Sequence, residues 1–243
     1  MLNLVKARLA HGYQAIPNPL KASINPAFPG VPQLSESLDM DMLNSVCPTK
    51  AFCNKGLDLG LCIFCGACER NFPQQIRFQP DFRLAADTRE KLFIQPGQKD
   101  YVEKAISSKL AGRFCRSFAL RNVCAGGCNA CEQELGACSN VNFDMGRYGI
   151  EVVASPRHAD ALILTGPITT NMAYALNETW KAIPEAKLLI LNGACAISGG
   201  LFAGSETIDR SFLDEHKPVL FIPGCPAHPL SIIHGLASLM GQK

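Results

Sequence analysis

LLILNGAC, residues Leu188 to Cys195, decides the fold. A short unbroken apolar run that ends in a polar residue, a glycine and a cysteine reads as a buried parallel strand reaching the rim of its sheet. Working outward, the same texture recurs at Ser117–Val123, Ile150–Val153, Ala161–Thr165 and Val219–Ile222. Between the runs lie segments of helical character, Cys131–Arg147, Asn171–Ile183 and Pro229–Met240, and a Gly-rich loop after Cys195. Short strands alternating with crossovers predict an α/β fold, a flavodoxin-like open parallel sheet with helices on both faces.

Cysteines gather where those strands end. Cys124, Cys128 and Cys131 follow the run closing at Val123, Cys195 follows Leu191, and Cys225, in PGCP, follows Ile222. Open α/β sheets collect ligands at this carboxyl edge. Two cysteines of the first loop with Cys195 and Cys225 make four thiolates, the set that a [4Fe–4S] cluster needs. Gly193 and Gly224 would let backbone approach such a cluster, and Gly126 and Gly127 keep the first loop free of side chains.

A different grammar precedes the sheet. CIFCGAC places Cys62, Cys65 and Cys68 at the C-x2-C-x2-C spacing of a bacterial ferredoxin. The fourth cysteine of that pattern, which ligates the other cluster, is replaced by Phe72, ahead of Pro73. Cys47-Pro48-Thr49 has the form of a fourth ligand from a preceding motif, whose other three positions fall on Ser37, Met40 and Leu43. The losses are coherent: one cluster has lost every ligand and the other has kept all of them. One [4Fe–4S] cluster is therefore expected on Cys47, Cys62, Cys65 and Cys68. A structural zinc site is the rival; zinc ribbons usually present two separated C-x2-C pairs rather than a triple and a distant C-P. Cys53, Cys115 and Cys138 match neither pattern and read as packed thiols.

Four segments follow: an extended proline-rich arm (1–35), a ferredoxin-like α+β domain (36–98), a linking helix (99–112) and the parallel-sheet domain (113–243). Twelve cysteines in tight clusters, with neither an apolar signal core nor a twin arginine at the N-terminus, point to a reducing, cytoplasmic compartment and metal ligation rather than disulfides. A formal net charge of +2 gives no reason to expect nucleic acid. The most apolar stretch, Leu188 to Ala203, is broken by Asn192, Gly193, Ser198, Gly199 and Gly200, so no membrane span is expected. SGGLFAG lacks the G-x-G-x-x-G order of a dinucleotide loop.

CNACEQE, SPRHADALILTGPIT, NGACAISGG and PGCPAHP together, within Arg121 to Gly241, resemble the small subunit of group 4, energy-converting [NiFe] hydrogenases of the formate-hydrogenlyase type. The related 20 kDa iron–sulfur subunit of complex I is a close second. Carried over residue by residue, the resemblance implies that Cys128, Cys131, Cys195 and Cys225 hold the second cluster, with Cys124 as the alternative to Cys128. Complex I subunits place their first two ligands side by side, whereas Cys128 and Cys131 stand two residues apart, as in hydrogenases. The implied function is a non-catalytic electron-transfer subunit, with no catalytic residue of its own. Its two [4Fe–4S] clusters would feed a [NiFe]-hydrogenase-type large subunit, alongside further iron–sulfur and membrane subunits, peripheral to the inner face of the membrane. A nickel-free complex I-like quinone oxidoreductase, or one with another acceptor, is the alternative. The fused ferredoxin is not implied by that family.

Some further side chains have two readings each. Glu132 and Glu134 open the helix after the ligand loop, as caps or as a proton relay near a catalytic subunit. His158 and His228 could hydrogen-bond near a cluster, or belong to surface and capping contacts.

Overall fold

The computed structural model describes residues 2–12, 15–98, 101, 106, 114 and 116–242. Its N-terminal segment differs from an extended arm at both ends. Helix α1 (Leu2–His11) forms from strong helix formers, Leu, Lys, Ala and Arg, without burying a residue. Strand β1 (Val31–Leu34) pairs antiparallel with β4 (Ile76–Gln79). Between them the proline-rich stretch lies along the C-terminal half. The Ile16 amide donates to the Asn142 carbonyl at 2.9 Å, and Arg147 Nη1 donates to the carbonyls of Ile16 and Pro17 at 3.0 and 2.9 Å. A chain that cannot pair its own backbone takes its partners from a neighbour.

The segment read from sequence as ferredoxin-like holds α2 (Met40–Val46), the short strands β2 (Phe52–Cys53), β3 (Gly56–Asp58) and β5 (Phe93–Ile94), and α3 (Ala67–Asn71). The three strands form a small antiparallel sheet. Asp39 caps α2, accepting from the Met42 amide at 2.9 Å. Three of the four positions read as lost ligands are packed against the core. Leu43 is fully buried, and Met40 and Phe72 pack against the same core, while Ser37 stays exposed. Asp58, buried, accepts both guanidinium arms of Arg89 at 2.7 and 2.5 Å and the Gly60 amide at 2.8 Å. Asp58→Asn would leave the guanidinium without its counter-charge. The expected cost is about 2 to 3 kcal/mol, read as a lowered urea midpoint at unchanged slope.

The C-terminal half carries five parallel strands, β6 (Phe118–Cys124), β7 (Ile150–Val152), β8 (Ala161–Thr165), β9 (Leu188–Asn192) and β10 (Leu220–Ile222), in the order β7-β6-β8-β9-β10. Numbered within this sheet the order is 2-1-3-4-5, the flavodoxin-like winding, which reverses direction between β6 and β8. Helices α4 (Ala130–Ala137) and α8 (Pro229–Leu239) cover one face, with Leu135, Ile232, Ile233 and Leu236 against Leu120, Ile163, Ile190 and Ile222. Alternate strand residues, Leu162, Leu164, Leu189 and Leu191, point to the other face. There they share a core with Leu176 of α5 (Thr170–Ala182), Phe212 of α7 (Ser211–Glu215) and, from the ferredoxin-like region, Leu43, Leu57, Leu59 and Ile94.

Two crossovers differ from expectation. The helix expected over Cys131–Arg147 stops at Ala137, after Gly136, and a 3-10 turn follows at Met145–Tyr148. The loop after Cys195 winds into α6 (Ala194–Ser198), which Gly199 ends at φ +89°. The linking helix expected at 99–112 lies outside the described residues, Tyr101 and Ile106 excepted.

Candidate metal centres

Loops after β6, β9 and β10 converge on one cavity at the carboxyl edge of the sheet. Cys128, Cys131, Cys195 and Cys225 all line it, together with Gly127, Gly166 and Gly224. Cys131 and Cys195 are half-buried, and Cys128 and Cys225 are exposed at the rim. Gly193 stands at φ +94°, ψ 155°, and a Cβ on it would lie 2.6 Å from Cys131 Sγ, so the thiol occupies the space that any side chain there would need. Gly166, at φ +81°, approaches the first loop so closely that a Cβ would meet the Gly127 amide nitrogen at 2.7 Å.

Burial, the Glu132 charge and the neighbouring cysteines push the Cys131 thiol up to about 12, against a hydrogen bond from the Ala227 amide that favours its thiolate. Burial and the thiols of Cys225 and Cys128 likewise hold Cys195 up at about 11. Thiols that resist ionisation, as those of Cys131 and Cys195 do, are favoured as thiolates beside a cation. The donor set fits an iron–sulfur cluster, which takes Cys thiolates and backbone N–H···S bonds.

Cys124 does not line this cavity. It is half-buried at the end of β6, hydrogen-bonded to Glu132, and its thiol is pushed up by burial and by that carboxylate. Glu132 also accepts from the buried Thr165 hydroxyl, in a very short contact, and Asn122 Nδ2 donates to the same hydroxyl at 3.3 Å. The carboxylate is thus held by β6 and β8, not by the start of its own helix. The N-cap of α4 is Asn129, at φ +68° and without a side-chain cap bond.

The first group is less open. Cys62 and Cys68 are buried, Cys47 is half-buried and Cys65 is exposed. Burial drives the Cys62 thiol far above its ordinary range and Cys68 up to about 11, and each is raised further by the charges of its neighbours, Cys47 and Cys65 among them. Amide donors aim at the sulfurs: Ala51 N–H at Cys47 Sγ and Phe64 N–H at Cys62 Sγ, both at 3.3 Å. Among the described residues, no three His, Cys, Asp or Glu side chains close on a point tightly enough for a single ion.

Of the remaining candidates among the described residues, only His228 borders a cavity that Cys225 also lines. His158 lies in the turn before β8, at the amino edge, so the sheet separates it from the cysteine cavity. His228 caps α8, its Nδ1 accepting from the Leu230 amide at 3.1 Å, with the rings of Phe28 and Phe143 edge-on to it. Trp180 packs on Phe212 and His216. Cys138 is a buried thiol bonded to the Glu134 carbonyl at 3.2 Å, Cys53 is half-buried in β2, and Cys115 lies outside the described residues. Sequence reasoning passed over Gly166, Thr165 and Arg210, none of which carries a thiol, imidazole or carboxylate; a glycine directly after an apolar strand was the signal available for the first.

The model of the family "NADH ubiquinone oxidoreductase, 20 Kd subunit" matches residues 128–239. Formate hydrogenlyase subunit 7 of Escherichia coli is 39% identical over 58% of this chain, an alignment that spans 56% of that relative's length. The Pyrococcus furiosus protein described as "Probable membrane-bound hydrogenase subunit mbhJ" is 36% identical over 57% of this chain and 83% of its own length. A subunit of the NADH-quinone oxidoreductase of Clostridium beijerinckii is 41% identical over 46% of this chain and 68% of its own length. With a parallel sheet of flavodoxin-like order and four cysteines gathered at its rim, the chain belongs to the family of complex I 20 kDa subunits and [NiFe]-hydrogenase small subunits.

Proposed function

We propose that this chain is the electron-transfer iron–sulfur subunit of a membrane-associated [NiFe] hydrogenase complex. Cys47, Cys62, Cys65 and Cys68 hold one [4Fe–4S] cluster, and Cys128, Cys131, Cys195 and Cys225 hold a second, proximal to a catalytic large subunit. The observation that carries the reading is the single cavity that Cys128, Cys131, Cys195 and Cys225 line at the carboxyl edge of the sheet. The clusters, once bound, exchange single electrons; the chain's own residues supply the thiolates, the N–H donors to sulfur and the apolar surroundings that set potential. Exposure of Cys128 and Cys225 supports a second cluster that meets a partner at that rim. No helix among the described residues is long and apolar enough to cross a membrane, so membrane association would come through partner subunits on its cytoplasmic face.

A nickel-free complex I-like complex is the second reading, supported by the relative named for a quinone oxidoreductase. The two-residue gap between Cys128 and Cys131 favours the hydrogenase. Anaerobic purification with co-purifying partners, followed by iron, nickel and zinc analysis, separates the readings. About eight irons per chain, after subtracting clusters in identified partners, with nickel near one, is the expected result. Iron without nickel selects the complex I-like reading, and zinc in place of iron at the N-terminal site removes the ferredoxin-like assignment.

A further inference from the structure

One partly buried cation stands behind the loop that carries Cys195, outside the ligand set. Arg210, the residue before α7, turns its guanidinium into the loop that carries Cys195. Nη1 donates to the carbonyls of Pro167 and Cys195 at 3.3 and 3.2 Å, and Nη2 to those of Ala196 and Ile197 at 2.8 and 3.0 Å. The side chain is half-buried, and no carboxylate among the described residues reaches ion-pairing distance of it. Carbonyl dipoles satisfy the donors but leave the positive charge standing. Arg89, close enough to be felt by Arg210, is different: Asp58 balances its charge.

We propose that Arg210 is a positioning residue that raises the reduction potential of the second cluster by fixing an unbalanced positive charge behind Cys195. The proposal rests on the electron-transfer reading above. A [4Fe–4S] cluster gains one negative charge on reduction, and charge around the cluster is among the levers that set its potential. A cation held in a partly desolvated site favours the more negative state, and solvent screens it less than it would a surface charge.

The simpler role for Arg210 is mechanical. Cys195, Ala196 and Ile197 belong to the last turn of α6, where Cys195 already accepts from the Gly199 amide at 2.8 Å, and a basic side chain is a common cap for the carbonyls that remain. A cap alone governs whether the loop and its cluster stay in place. A charge governs the midpoint of the cluster that does assemble.

The test is an anaerobic, EPR-monitored redox titration of the purified complex and its variants, with iron counted in each. In Arg210→Gln the ratio of reduced to oxidised second cluster, at the potential where the unmodified protein is half-reduced, should fall about tenfold, a shift of ~59 mV for a one-electron couple. The first cluster serves as internal control and should not move. Arg210→Lys keeps the charge with fewer donors, and its ratio should stay within about threefold of the unmodified protein. Asp214→Asn removes an exposed carboxylate whose charge opposes that of Arg210, and should move the same ratio the other way, by less. An unshifted midpoint in Arg210→Gln with full iron, or an equal shift in Arg210→Lys, overturns the proposal. If Arg210→Gln does not retain its cluster, an unshifted Asp214→Asn overturns it. About four irons in the unmodified chain and no second signal would remove the two-cluster reading itself, and the proposal with it.

Discussion

Serine in place of Cys131 is expected to cost the chain its second cluster and leave the first intact, so that iron falls from about eight to about four atoms per chain. Cys131 sits at the centre of the arrangement. Gly193 gives up its side chain to make room for the sulfur, and the Ala227 amide points at it. A serine oxygen is shorter, harder and far more reluctant to ionise than a thiol that burial already holds at about 12. The measurement is iron per chain with low-temperature EPR of the reduced protein, in which the signal of the first cluster should remain unchanged. Cys124→Ser is the companion variant: outside the cavity, its thiol can be lost without loss of iron. Full iron in Cys131→Ser, or a loss in Cys124→Ser, would mean that the ligand set has been misassigned.

Gly193→Ala should be nearly as damaging through a single methyl group. At φ +94° and ψ 155° the backbone lies in a region that only glycine occupies readily, which costs another residue about 1 to 3 kcal/mol. The new Cβ would also stand 2.6 Å from Cys131 Sγ, so the thiol would have to shift. For a chain of this size the strain alone lowers the unfolding temperature by roughly 2 to 4 °C per kcal/mol. The second cluster should be lost or underfilled as well. A variant with unchanged iron and melting would show that the loop relaxes at no cost.

The sheet was legible because buried parallel strands write themselves as continuous apolar runs. Ala161–Thr165 appears in the structure with the expected bounds, and the others within one or two residues. The gathering of cysteines followed from topology, since every loop that carries one leaves a carboxyl strand end. That those thiols ligate iron is what the variants above decide. The order of strands was not written in any one segment, because pairing partners are chosen across long sequence separations. Helix α1 was missed for a plain reason: it buries nothing, so it has propensity without the periodicity that a core face imposes. Glu132 looked like the acidic start of a helix, yet Thr165, thirty-three positions on, claims it. Contacts between residues so far apart leave no local trace. Arg210 was invisible in the same way: its four acceptors are backbone carbonyls, and any sequence offers those.

The ferredoxin-like region and one face of the parallel sheet draw on the same hydrophobic core. Two separate carriers must find each other by diffusion, so their exchange slows on dilution, varies with salt and admits competitors at the encounter. With both clusters bound as proposed, the donor would travel with its acceptor. Transfer between the two halves would then be a first-order event with a rate set by a fixed separation, indifferent to protein concentration and closed to any rival carrier that lacks the tether.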